Sequence, residues 1–439
     1  ATDPVKAAEQ LHNNLMNSAA HKANILERSY THVGIGYWRS APGVTWSGGG
    51  VQMQNVFVTT QVFATLPAQA TTGGARYHPL TPSRILDTRT GAGPLGAGAT
   101  RDVQVTGVGG VPAVGVSAVV LNVAVTGPTA TSFLTVFPTG ESRPLAANLN
   151  YVAGQTVPNM VTAKLGAGGR LSLYNNAGAT QVIADVAGWY DDATLASGAL
   201  YHPLTPSRIL DTRSTSRLGA GATMAAQVTG RGGVPSTGVS AVVLNVAVTG
   251  PTATSYLTVF PTGESRPVAS SLNYVAGQTV PNLVTAKVGA GGQVSLYNFA
   301  GTTNVVIDVA GWYDDGTSPT GAGYHPVTPS RILDTRSGLP VNSLASTDVQ
   351  GAGRGGIPTT GVSAVVMNVT ATGPTADSYL AVYPAGEAAP ATSNLNFVAG
   401  QTVPNMVVAK LGAGGKASLA NAVGTTHVVA DVAGWFDAG

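Results

Sequence analysis

Three times the chain writes Pro-Ser-Arg-Ile-Leu-Asp-Thr-Arg, at residues 82–89, 206–213 and 329–336. Two arginines flanking one aspartate can pin neighbouring strands by ion pairing, or they can hold an anionic or hydroxylated ligand. In an extended strand, residues two apart share a face. Asp87 and Arg89 are then neighbours suited to a charge-assisted pair, and Arg84 faces the other way. Near the end of each copy a further aspartate sits in an apolar stretch, as in Ile-Ala-Asp-Val-Ala-Gly-Trp-Tyr, and offers the arginines a second partner. The ion sets are therefore Arg84, Asp87, Arg89 and Asp185; Arg208, Asp211, Arg213 and Asp308; and Arg331, Asp334, Arg336 and Asp431. We read them as structural pairs joining the first strand of each copy to its last, with a ligand site in triplicate as the alternative.

Catalytic chemistry finds little to use. General acid–base work needs paired carboxylates in a cleft, yet of the recurring carboxylates Asp87, Glu141 and Asp185 the first two have arginine neighbours. Such neighbours lower a carboxyl pKa, the wrong direction for a general acid. The histidine shared by the copies, His78 in the first, precedes a proline, and Gly-Val-Ser-Ala-Val lacks the second glycine of a nucleophile elbow. No phosphate loop, calcium loop or zinc spacing occurs. The expectation is a non-enzyme with no metal and no cofactor.

Each copy opens Tyr-His-Pro-(Leu/Val)-Thr-Pro-Ser-Arg and closes Asp-Val-Ala-Gly-Trp-(Tyr/Phe)-Asp. The organisation reads as a segment 1–65, a linker 66–76, and copies at 77–192, 201–315 and 324–437. Small-residue linkers fill 193–200 and 316–323. Runs such as Ala-Val-Val-Leu-Asn-Val-Ala-Val-Thr-Gly-Pro are β-branched and end at turn signals, and helical periodicity is missing from the copies. With about eight strands per copy, the fold class expected is mainly β: three tandem, independent antiparallel β-sandwich, jelly-roll-like repeats.

Copies one and two are nearly identical, and copy three has drifted. It keeps Asn368, Asn396, Gln401, Asn405 and Trp435, which read as buried-backbone and core chemistry. It replaces Arg143 and Arg266 with Ala389, and Tyr174 and Tyr297 with Ala420. These read as surface contacts. Arg143 with Tyr174, Arg266 with Tyr297, and Trp189 and Trp312 are accordingly the candidate ligand contacts, with core filling the competing role for the tryptophans.

The first segment has another character. Val5, Ala8, Leu11 and Leu15 make a helical apolar stripe, and Asn17-Ser18 caps a second helix carrying His21 and Ile25. Leu-Met-Asn-Ser-Ala-Ala-His-Lys-Ala-Asn-Ile-Leu, then Val-Gly-Ile-Gly and Val-Phe-Val-Thr-Thr-Gln-Val-Phe-Ala, resembles the C-terminal half of a bacterial extracellular CAP (SCP-like) domain over about residues 4–64. The resemblance implies a small α+β partial domain preceding the repeats, with His21 as a remnant of a cavity histidine whose partners are missing. It also implies a separate CAP half, or self-association, to cover the exposed half-core. The repeats in turn resemble tandem β-modules of secreted actinobacterial surface proteins, which implies a secreted, cell-surface location.

Composition narrows the function classes. The chain has 57 Gly, 27 Pro, no Cys, 10% charged residues and a net charge of +2, too weak and dispersed for a nucleic-acid partner. No apolar run is long enough for a transmembrane segment. The chain opens at Ala1 without a leader, as a processed form would. The leading expectation is a non-catalytic module array that binds an extracellular or cell-wall polysaccharide weakly and multivalently, or spaces the N-terminal domain. An accessory part of a wall-active or lipid-binding CAP protein, and a subunit of a fibre or assembly, are the alternatives.

Overall fold

The structure is a computed structural model that describes residues 32–39, 45–48, 51–54, 57–64, 73–195 and 197–439. It divides into two compact units, residues 1–72 and 73–439. In the first, β1 (His32–Arg39) pairs antiparallel with β4 (Phe57–Ala64), and β2 (Thr45–Gly48) with β3 (Val51–Gln54). This overturns the expected α+β CAP-like domain: among the described residues the first unit is strand alone, and the helical turns among them are four short 3-10 segments, all in the second unit. The helices expected before β1, and His21 with them, lie outside the described residues.

The first repeat holds eight strands: β5 (Tyr77–Asp87), β6 (Thr100–Gln104), β7 (Val116–Thr126), β8 (Ser132–Pro138), β9 (Leu149–Tyr151), β10 (Val157–Lys164), β11 (Arg170–Asn175) and β12 (Gln181–Asp191). They form two four-stranded antiparallel sheets, ordered β10-β7-β12-β5 and β6-β11-β8-β9, and the other repeats reproduce both. The expected row of independent jelly-roll-like sandwiches is corrected accordingly. Six small antiparallel sheets, two per repeat, close into one propeller-like ring within a single compact unit.

The residues of β7 explain why the repeats do not stand alone. Val-Ser-Ala-Val-Val-Leu-Asn-Val-Ala-Val-Thr shows no alternation of apolar and polar positions, and it is buried from Ala118 to Val125. A strand without alternation needs cover on both faces. Val119, Leu121, Val123 and Val125 pack against the second sheet of their own repeat. Ala118 and Val120 point the other way, into a core shared with Ala241 and Val243 of the second repeat and Ala364 and Val366 of the third.

Hydrogen bonds close the ring in the same rotational sense at each seam. Asn122, Asn245 and Asn368 donate to the carbonyls of Ser270, Ser393 and Ala147 at 2.6, 2.5 and 2.7 Å. Asn159, Asn282 and Asn405 donate to the side-chain oxygens of Asn368, Asn122 and Asn245 at 2.8, 3.0 and 3.1 Å. The linkers take part as well. Tyr77 bridges to Ala199, Tyr201 to Ala322, and Tyr324 back to Ala75, so the third repeat is tied to the segment before the first.

Six aromatic rings, two per repeat, meet inside this closure. Tyr77 lies 4.3 Å from Tyr313, Tyr190 4.2 Å from Tyr324, and Tyr201 4.3 Å from Phe436, ring centre to ring centre. Burial pushes the phenols of Tyr77, Tyr201 and Tyr324 far above their ordinary pKa, so they stay neutral donors. Each donates to a carbonyl of its own last strand, Ala187, Ala310 or Ala433. The glycine of Ala-Gly-Trp is required here. A Cβ on Gly188, Gly311 or Gly434 would overlap the hydroxyl of the tyrosine that crosses it.

Candidate binding surface

The arginine–aspartate sets come together within each repeat. Arg84 donates to both oxygens of Asp185 at 2.8 and 3.1 Å and to Asp87 at 3.1 Å. Arg89 grips Asp87 through two side-chain nitrogens at 2.9 and 2.6 Å and through its own backbone N–H. The second repeat joins Arg208 to Asp308 and Arg213 to Asp211, and the third joins Arg331 to Asp431 and Arg336 to Asp334. Strict alternation would have put Arg84 and Asp87 on opposite faces. The register shifts instead: Asp185 lies opposite Arg84 while Ala184 lies opposite Leu86, so Ile85 is bulged out and Arg84 turns to the face of Asp87.

Electrostatics divides the carboxylates of each set. Hydrogen bonds from Arg89 and Arg213 hold Asp87 and Asp211 down at about 2, and Arg336 holds Asp334 lower still. Burial pushes Asp185 and Asp308 above the usual carboxylate range, against the pull of Arg84 and Arg208. Two carboxylates with separated pKa values are the usual mark of an acid–base pair. Here, however, Asp185 is buried and both its oxygens are engaged by Arg84. It has no free oxygen to present to a substrate.

Glu141 forms no salt bridge with Arg143, two residues on, among the described residues. It accepts from Lys164 at 2.7 Å and from Thr328 of the third repeat at 2.5 Å, and these bonds hold its pKa below the ordinary value. Glu264 accepts from Lys287 and from Thr81, and Glu387 accepts from Thr205, so each seam carries such a contact. Trp189 is buried, with His78 stacked on its ring at 3.9 Å and 6°. Trp312 is partly buried and stacks on His202 in the same way. His78 also bonds Asp191 at 3.2 Å, where the linker meets the last strand.

The exposed candidates lie on the second sheet. Arg143 sits over the Tyr174 ring at 4.0 Å and Arg266 over Tyr297 at 3.7 Å, each guanidinium exposed to solvent. Two residues absent from the sequence-derived set extend the second of these pairs. Tyr256 lies 6.3 Å from Tyr297, and Phe299 stacks on Tyr256 at 5.0 Å and 12°. Phe299 is 53% exposed. The result is a row of Phe299, Tyr256, Tyr297 and Arg266. The first repeat has Phe133, Tyr174 and Arg143 but Asn176 where Phe299 stands, and the third retains only Tyr379. An exposed Asn-to-Phe difference between otherwise near-identical copies was the available signal.

A second feature lies where the three repeats meet. Asn150, Gln155 and their counterparts Asn273, Gln278, Asn396 and Gln401 line a small cavity of about 40 Å³. Ser270 and Ser393 donate to Asn273 and Asn396 at 3.0 and 3.1 Å. The first repeat has Ala147 at that position, which leaves the Asn150 side-chain oxygen buried without a partner. Among the described residues no group of three or more metal-ligating side chains comes together, and no helix is long and apolar enough to cross a membrane.

No protein-family model matches the chain, and no curated protein matches it. Residues 4–64 therefore carry no CAP assignment, and the repeats carry none to a family of surface modules. Among solved structures the chain is similar to the atomic structure of Sulfolobus turreted icosahedral virus, with 10% identity over 92% of this chain and 91% of that one and a TM-score of 0.17. It is also similar to a structure described as the triple jelly roll fold and turret assembly of an archaeal virus, with 8% identity over 92% and 90% and a TM-score of 0.17. Likenesses this slight carry no argument about this chain.

Proposed function

We propose that the chain is a non-catalytic, extracellular binding module that holds a polysaccharide on the outer surface of its ring. The observation that carries this is the row Phe299–Tyr256–Tyr297–Arg266, exposed at both ends with its tyrosines half-buried, and its shorter version at Phe133, Tyr174 and Arg143. Flat aromatic faces take the C–H faces of sugar rings, and a guanidinium donates planar, paired hydrogen bonds to their oxygens. Carboxylates that could act as acid or base are engaged by arginine, lysine or threonine, which favours binding over turnover. Two unequal rows on one rigid ring favour a polymer that reaches both, since linked weak sites gain avidity.

The test is retention of the full chain on immobilised polysaccharides, with Tyr256→Ala and Phe299→Ala beside the parent and reducing-end release followed in the same samples. Retention that falls in both variants, without release of reducing ends, is the expected result. Unchanged retention in both variants, or sustained turnover, refutes the reading.

A further inference from the structure

Between the first and second repeats runs a groove of about 370 Å³ that neither repeat forms alone. The first repeat supplies Arg84, Arg89 and Thr126, and the second supplies Tyr256, Arg266 and Asn273. Its charges are unevenly placed. Asp185 and Asp87 are buried or nearly so beneath Arg84 and Arg89, while the Arg89 side chain remains 46% exposed. Arg266 is exposed, and among the described residues it forms no salt bridge. The three guanidiniums outnumber the two carboxylates, and the cations are the more exposed partners.

We infer that this groove binds the carboxylates of an acidic polysaccharide, with Arg266 and Arg89 taking the acid groups and Tyr256 continuing the sugar track onto Phe299. The inference rests on the polysaccharide reading above and names its chemical class. Tyr256 belongs to both features, since it lines the groove and stacks on Phe299. A chain lying along the aromatic row therefore runs directly into the cationic groove. Arg266 presents a planar donor pair that matches a carboxylate, whereas Arg89, whose Nε and Nη2 hold Asp87, offers its Nη1; within a groove that attraction is less screened than on open surface.

The other seams supply internal controls. Where the third repeat meets the first, Arg331 reaches the Leu145 carbonyl at 3.3 Å, so it faces the segment that carries Arg143, in a repeat with Phe133 in place of Tyr256. Where the second meets the third, Ala389 stands in the Arg266 position, and that seam lacks the cation. The groove between repeats one and two is thus the most complete, and the one between two and three the least.

The experiment compares retention of the full chain by polygalacturonate and by its fully methyl-esterified form, which keeps the sugar and removes the charge. Parent protein should bind the acid roughly tenfold more tightly than the ester, and the difference should shrink as salt rises. Arg266→Ala should lose most of that preference with its melting temperature unchanged, and Ala389→Arg should increase retention on the acid. Equal binding of acid and ester, with loss in Tyr256→Ala, overturns the inference and leaves the polysaccharide reading standing. Retention of neither polymer overturns the inference, and retention on none of the immobilised polysaccharides overturns both. An acid preference intact in Arg266→Ala, or equal binding of single-stranded DNA of matched charge, overturns the groove assignment.

Discussion

Replacing Asn159 by alanine should weaken the whole ring rather than one repeat. Its amide nitrogen donates to the Asn148 carbonyl at 2.6 Å and to the Asn368 side chain at 2.8 Å. Its oxygen accepts the Met406 backbone N–H at 3.0 Å. Asn159, Asn368 and Met406 are all buried, and the last two belong to the third repeat. Alanine removes one residue and strands three polar groups, each at about 1–3 kcal/mol. Partial relaxation brings the expected loss to roughly 3–5 kcal/mol, a large share of the stability of an ordinary domain. Because the stranded groups lie on both sides of a seam and the repeats share one core, the loss should lower a single transition. Urea unfolding followed by tryptophan fluorescence and far-UV circular dichroism, with calorimetry of the same protein, measures both quantities. A loss below about 1 kcal/mol would refute the hydrogen-bond argument, being less than one stranded group should cost. A variant in which one third of the heat absorption moves and the rest stays would refute the shared core.

Three further outcomes follow from the geometry. Gly188→Ala should cost about 1–3 kcal/mol, because its Cβ has no space beside the Tyr77 hydroxyl; an unchanged melting temperature would contradict that close approach. Ala147→Ser should raise stability by about 0.5–1.5 kcal/mol, by giving Asn150 the partner that Ser270 gives Asn273; a lower urea midpoint would contradict it. Asp87 and Asp211 titrate near 2 when folded, against about 3.9 unfolded. The unfolded chain then takes up the protons first, so the stabilisation is present above about pH 4 and is lost as pH falls toward 2. Urea midpoints recorded across that window should fall less steeply in an Asp87→Asn, Asp211→Asn variant, and parallel curves would contradict the assignment.

Some of this molecule is legible along the chain. The threefold repetition, the strand-forming runs and the mainly β character follow from local composition, because β-branched runs broken by Gly and Pro encode strands wherever they sit. The unbroken apolar run of β7 already required cover on both faces. The identity of that cover was not written locally. Asn122 and Asn368 read as residues satisfying buried backbone, but which backbone is not legible: each donates to a carbonyl across a seam, in another repeat. Their partners are carbonyls far away in sequence, and carbonyls carry no residue-specific signal. Alternation put Arg84 on the wrong face because the bulge at Ile85 is set by the register of β5 against β12. Tyr256 meets Arg84 and Arg89 in one groove only because the ring closes. Local periodicity decides which way a side chain faces within its strand. Pairing register and the packing of repeat against repeat, both set by contacts distant in sequence, decide what it meets.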